Sequence, residues 1–202
     1  MLFIYSKFKL RKWSKYSSVK RLKILQALEN KLAKKNHREP IDVVVHERSD
    51  WNCLGMFSVV NGIKKLYIHE NLILNPAYRF HALETIIHEG RHATQYVYAT
   101  RENLHWWNFR AKRWKKNFQG YISASEDSLM YNNQEVERDA QKYTIRMLEK
   151  LEYKYRNEPD FYTTLKRNRY RYEKAEEEAR NKYGIFYKHK LRRKIDRRSQ
   201  DY

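Results

Sequence analysis

One cysteine, three prolines and five glycines are all that 202 residues hold of those types. The lone Cys53 excludes an intrachain disulfide and any zinc module made of four cysteines. It fits a reducing compartment, so a cytoplasmic setting is expected. Sparse glycine and proline argue against elaborate turns and for a helix-rich chain. No apolar run approaches the roughly 20 residues that cross a bilayer. The opening segment, Met1 to Lys7, carries too short an apolar run for a secretory signal, and Lys9, Arg11 and Lys12 follow at once. No internal repeat is visible. Acidic residues are few beside basic ones, 24 against 43, for a formal charge of +19. Such a field favours polyanionic partners, among them DNA or RNA, without selecting one.

What is present is a hydrophobic fraction of 41%, enough for a core, with 17 Tyr and 5 Trp in it. The length fits one domain with an extension, or two small ones. Residues 1–17 are basic and aromatic and read as a surface arm or a short edge element. From Ser18 the spacing of Val19, Leu22, Leu25, Leu28 and Leu32 predicts a helix ending near Asn36. Three short β-branched or aromatic runs follow: Ile41 to His46, Met56 to Val60 and Lys65 to His69. Asn61-Gly62 is a hairpin-turn signal between the last two. His46 and His69 read as strand residues rather than ligands.

The chain then reaches His88-Glu89-Gly90-Arg91-His92. Asn75 and Pro76 suit the start of a helix, and Phe80, Leu83 and Ile87 continue on one face of it. On that helix His88 and His92 lie one turn apart, with Cβ atoms about 5–6 Å from each other. Two imidazoles so placed reach one zinc ion at about 2.0–2.1 Å. Glu89 sits beside the metal and can take a proton from its water.

A catalytic zinc usually has three protein ligands. Downstream donors are His105, Glu135, Glu137 and Asp139. Helix period separates the carboxylates. One to several turns from Glu137 stand Ala140, Thr144, Leu148 and Leu151, a small or apolar face. Glu135 shares its face with Asp139, Lys142, Arg146 and Glu149, which are charged. Glu137 is therefore favoured, with Glu135 and His105 as alternatives.

The motif resembles the zincin metallopeptidases. By that resemblance His88 and His92 are zinc ligands and Glu89 is the catalytic base. Glu137-Arg138-Asp139-Ala140-Gln141-Lys142-Tyr143 is similar to the glutamate helix of gluzincins, closest to the ImmA/IrrE-like peptidases. There a glutamate is followed by Ala, then Asn or Asp, then an aromatic. Glu137, Ala140 and Tyr143 match, whereas Gln141 departs. His88 to Gln95 with Gln134 to Ala140 also looks like uncharacterised phage and mobile-element proteins. The resemblance covers roughly residues 54–145. His105, followed four residues later by Phe109, is similar to part of the SprT-like pattern of DNA-associated proteases, although Trp106 stands where glycine is usual. The metzincin pattern fails, since Gln95 and Tyr98 replace its Gly and His.

The expected fold is α+β and helix-rich: a zincin-like arrangement with a small antiparallel or mixed sheet of about three strands before the motif helix, and long C-terminal helices. Residues 1–156 are expected to form the metallopeptidase domain and 157–202 a basic, charged helical extension. The expected activity is zinc-dependent hydrolysis of protein or peptide substrates. His105 or Tyr131 is a candidate to steady the oxyanion, with Asp139 and Gln141 behind the ligands. The competing class is a nucleic-acid-binding protein with a non-catalytic zinc site. Its candidate contacts are Arg110, Lys112, Arg113, Lys115 and Lys116, interleaved with Trp106, Trp107, Phe109 and Trp114, together with Arg192 and Arg193 in the basic tail. Inward packing of the tryptophans under a solvated charged face is the preferred reading of the first stretch.

Overall fold

Ser17 opens the first long helix by accepting a hydrogen bond from the Lys20 amide, and His37, with a φ of 51°, closes it in the left-handed region. The computed structural model describes residues 3–46, 53–101 and 108–200. In chain order these form α1 (Leu10–Trp13), α2 (Ser18–Lys35), β1 (Asp42–His46), β2 (Gly55–Val60), β3 (Ile63–His69), α3 (Asn71–Leu74), α4 (Arg79–Ala99), α5 (Phe109–Gln119), α6 (Ser128–Asn133), α7 (Glu135–Glu149), α8 (Pro159–Tyr183) and α9 (Tyr187–Arg198). Short 3₁₀ turns lie at Ile4–Phe8, Pro76–Tyr78 and Tyr153–Tyr155. The fold is α+β and helix-rich, with a small three-stranded mixed sheet ahead of the motif helix. No helix among the described residues is long and apolar enough to cross a membrane.

The strand order is β1-β3-β2, with β1 parallel and β2 antiparallel to the central β3. Asn61 and Gly62, at φ 50° and 77°, supply the paired left-handed residues that a two-residue hairpin turn needs. Leu66 and Ile68 of β3 are fully buried, as alternation on one face requires. Gln26 of α2 covers the outer edge of β1, accepting from the Val43 amide at 2.7 Å and donating to the Ile41 carbonyl at 3.0 Å.

The chain divides into two compact units, Met1–Thr94 with Tyr143–Lys166, and Gln95–Lys142 with Arg167–Tyr202. The first turns of α8 belong to the first unit, and the basic C-terminus belongs to the second.

In the first unit the residues expected as a surface arm or sheet edge are neither. Phe8 and Trp13 are fully buried and stack at 4.9 Å. The aromatic side chains, spaced to suit two short turns, show no strand or helix period and so hid their inward direction. Phe80, Tyr155 and Phe161 form a second aromatic knot with centroids 4.8–5.3 Å apart. Arg79 is buried at the start of α4 and pairs with Glu158 at 2.8 Å and Asp160 at 2.9 Å.

In the second unit α5 buries Ala111, Trp114 and Asn117 and leaves Arg110, Lys112, Arg113, Lys115 and Lys116 exposed. That is the inward-tryptophan arrangement for Trp114, while Phe109 stays exposed. A break at Gln134 separates α6 from α7. Gln134 turns extended, with ψ 152°, because its buried amide is committed to Asn117 and to both backbone polar groups of Ile122. The basic tail is a helix: Tyr187, Leu191 and Ile195 of α9 are buried at one-turn spacing. Gly120 receives α9, since a Cβ there would overlap the Ile195 carbonyl. Gly120→Ala is therefore expected to loosen α9 and speed tryptic cleavage between Lys188 and Arg198 severalfold at native conditions. Unchanged proteolysis would contradict the close approach.

Candidate metal centre

Asn75 accepts a hydrogen bond from the Ala77 amide at 3.0 Å and Pro76 occupies the first position of the turn that leads into α4. Phe80, Leu83, Ile86 and Ile87 are fully buried, so this face of α4 points into the core. His88 and His92 then stand one turn apart on α4, with Nε2 atoms 3.1 Å apart and rings crossed at 77°.

Two features of the first unit hold the motif in place. Glu89 Oε2 accepts the Phe57 amide of β2 at 2.8 Å, which fixes the carboxylate beside the histidines. The strand comes this close because residue 55 is glycine: a Cβ there would overlap the Thr85 methyl and lie 3.2 Å from Glu89 Cγ. Below the motif, Arg38 and Glu29 form a fully buried, two-pronged ion pair, 2.8 Å between Nη2 and Oε2. Arg38 also donates to the Gly90 carbonyl at 3.1 Å and to Thr94 Oγ1 at 3.0 Å, and Glu29 accepts the Ile41 amide at 3.2 Å. A Cβ at Gly90 would sit 3.1 Å from Glu29 Oε2, so the glycine inside the motif makes room for the pair.

Glu137, on the first turn of α7, is 4% exposed. The donor atoms of His88, His92 and Glu137 all lie within 4.8 Å of one another, the one such group of three found among the described residues. In the second unit, Tyr121 donates to Glu137 Oε1 at 2.6 Å and meets Tyr131 edge-on at 6.0 Å. Burial, and then the negative charge of Glu137, push the Tyr121 phenol far above its ordinary value, so it remains a donor. Gln95, one turn beyond His92, donates to the Val136 carbonyl and to Asp139, both at 2.9 Å, which ties the end of α4 to the first turns of α7. Near the middle of α7, the Arg91 guanidinium lies 5.0 Å from the Tyr143 ring in the first unit.

Of the other residues singled out in the sequence, Glu135 is apart from this group and pairs with Arg113 at 2.9 Å. Asp139 holds Gln95, while Gln141 is committed to Asn168 on α8 at 2.7 Å. Tyr131 touches the site by way of Tyr121. His105, Trp106 and Trp107 lie outside the described residues. Tyr121 and the Glu29–Arg38 pair escaped sequence reasoning. No spacing rule links residue 121 to 137, and the one available signal is an aromatic in an otherwise polar connection.

The donor set suits zinc. Two neutral imidazoles and a carboxylate are a known three-ligand set, and tetrahedral ligands at 2.0–2.1 Å stand about 3.3 Å apart, close to the 3.1 Å between the two Nε2 atoms. Compared with protein-family models, curated proteins and solved structures, the chain matches none.

Proposed function

We propose that the chain is a zinc-dependent metallopeptidase. The observation that carries this reading is the convergence of His88, His92 and Glu137 with Glu89 held alongside. When bound, zinc acidifies a water molecule and polarises a carbonyl. His88, His92 and Glu137 would hold the ion. Glu89 accepts the proton of the attacking water and returns it to the leaving amine. The Phe57 amide keeps Glu89 in one rotamer for both transfers. Tyr121 positions Glu137 through its short hydrogen bond. Loss of a group that orients a metal ligand typically lowers metal affinity about 10–100-fold. Tyr121→Phe is expected to show that loss in a competition titration with a chromogenic chelator, and wild-type affinity would contradict the role.

The reading is tested by hydrolysis of an unstructured polypeptide by the purified full-length protein with zinc. Cleavage is expected, and it should be stopped by a chelator, restored by zinc and absent in His92→Ala. Equal cleavage by His92→Ala would overturn the assignment. Within this proposal Cys53, as the sole cysteine, fits work in the cytoplasm.

A second activity has support of its own. Five cations of α5 are exposed around the buried Trp114, two of them, Arg113 and Lys116, paired with Glu135 and Asp196. Such a surface attracts DNA or RNA through phosphate charge, and binding should fall steeply as salt rises. The SprT-like alternative rests on His105, which lies outside the described residues.

A further inference from the structure

A half-open cavity of about 410 Å³ lies in the second unit, lined by α5, the end of α6, the start of α7 and α9. Five cations line it: Arg113, Lys116, Arg138, Lys188 and Arg192. Only two acids do, Glu135 and Asp196. These pair with Arg113 at 2.9 Å and, weakly, with Lys116 at 3.4 Å. Arg138 and Lys188 share the single carboxylate of Glu176, at 3.1 and 2.8 Å, and Arg180 takes it as well. Arg192 makes no ion pair among the described residues. The positive charge at the rim is thus under-compensated, and exposed pairs of this kind exchange readily for a better anion.

The floor differs from the rim. Tyr187, Leu191 and Ile195 line it with apolar surface. Asn133 also lines the cavity; it donates to the Leu129 and Ala175 carbonyls at 2.9 and 2.7 Å, and its buried Oδ1 has no donor. Buried acceptors are seldom left so. The opposite side of α9 offers a contrast. There Lys190, Arg193, Lys194, Arg197 and Arg198 line a second hollow of about 480 Å³ without an apolar floor, and Glu126 pairs with Lys194 at 2.8 Å and with Arg198 at 2.6 Å.

We propose that the first cavity binds a phosphorylated small molecule of about nucleotide size. Its phosphate would lie among Arg113, Lys188 and Arg192, its flat or apolar part on Tyr187 and Leu191, and a hydroxyl or amino group would answer Asn133. A nucleic-acid backbone suits the basic opposite side of α9, which has no apolar floor, better than a cavity lined by Tyr187, Leu191 and Ile195. The site is independent of the proposed peptidase chemistry.

Arg192 and Arg193 are neighbours with equal charge and both are exposed, yet only Arg192 lines this cavity. Calorimetric titration of the full-length protein with AMP, at fixed moderate salt, uses that difference. Saturable one-site binding is expected, tighter than for inorganic phosphate alone. Arg192→Ala should weaken it at least tenfold and Arg193→Ala less than twofold. The proposal is overturned if neither probe binds saturably, or if the two variants lose affinity equally. It is also overturned if a single-stranded oligonucleotide binds more tightly than AMP with equal dependence on both arginines.

Discussion

Glu89→Gln is expected to lower peptide hydrolysis by about a hundred- to ten-thousandfold while leaving zinc content unchanged, the range that general acid–base groups contribute. The substitution keeps the size of the side chain and removes its capacity to accept a proton. The amide oxygen can still receive the Phe57 N–H, so the contact between β2 and α4 survives in the variant. Neither His88 nor His92 is altered, and their 3.1 Å approach depends on α4 alone. The measurement is kcat on an unstructured polypeptide, alongside metal content of the same preparation. A variant that cleaves at the wild-type rate would remove Glu89 from the mechanism. A variant that loses its zinc would instead show that Glu89 supports the ligands.

The second large effect concerns stability. Arg38→Ala leaves the Glu29 carboxylate buried without its partner, and it strips donors from the Gly90 carbonyl and Thr94. Breaking one side of a buried pair costs about 3–5 kcal/mol. For a chain of this length each kcal/mol moves the melting temperature by about 2–4 °C, so a drop of roughly 6–20 °C is expected in calorimetry. Replacing both partners by apolar residues, Glu29→Leu with Arg38→Met, should recover most of it, because no charge is then left unpaired. A single variant melting within a degree or two of wild type would mean that Glu29 finds another partner.

How far these residues could be read from the chain depends on the range of the interactions that place them. The hairpin at Asn61-Gly62 was legible because its backbone demands positive φ, which few residue pairs supply. The histidine pair was legible because one helical turn fixes its spacing. Glu137 stood out from Glu135 because Ala140, Thr144 and Leu148 on its face predict burial, and those three residues are fully buried. The bend at Gln134 was not legible, since it arises from bonds to Asn117 and Ile122 that are distant in sequence. No spacing rule links Glu29 to Arg38, and only the fold makes them a buried pair under Gly90. The basic tail carries Leu191 and Ile195 one turn apart, a short stripe that its surrounding charge obscured.

The most direct test of the account is zinc stoichiometry after metal removal and back-titration, compared across wild type, Glu137→Ala and Glu135→Ala. One tightly held zinc per chain is predicted for wild type and for Glu135→Ala, with loss of that site in Glu137→Ala. A wild-type chain that takes up no zinc, or a Glu137→Ala chain that holds it as tightly as wild type, would contradict the account.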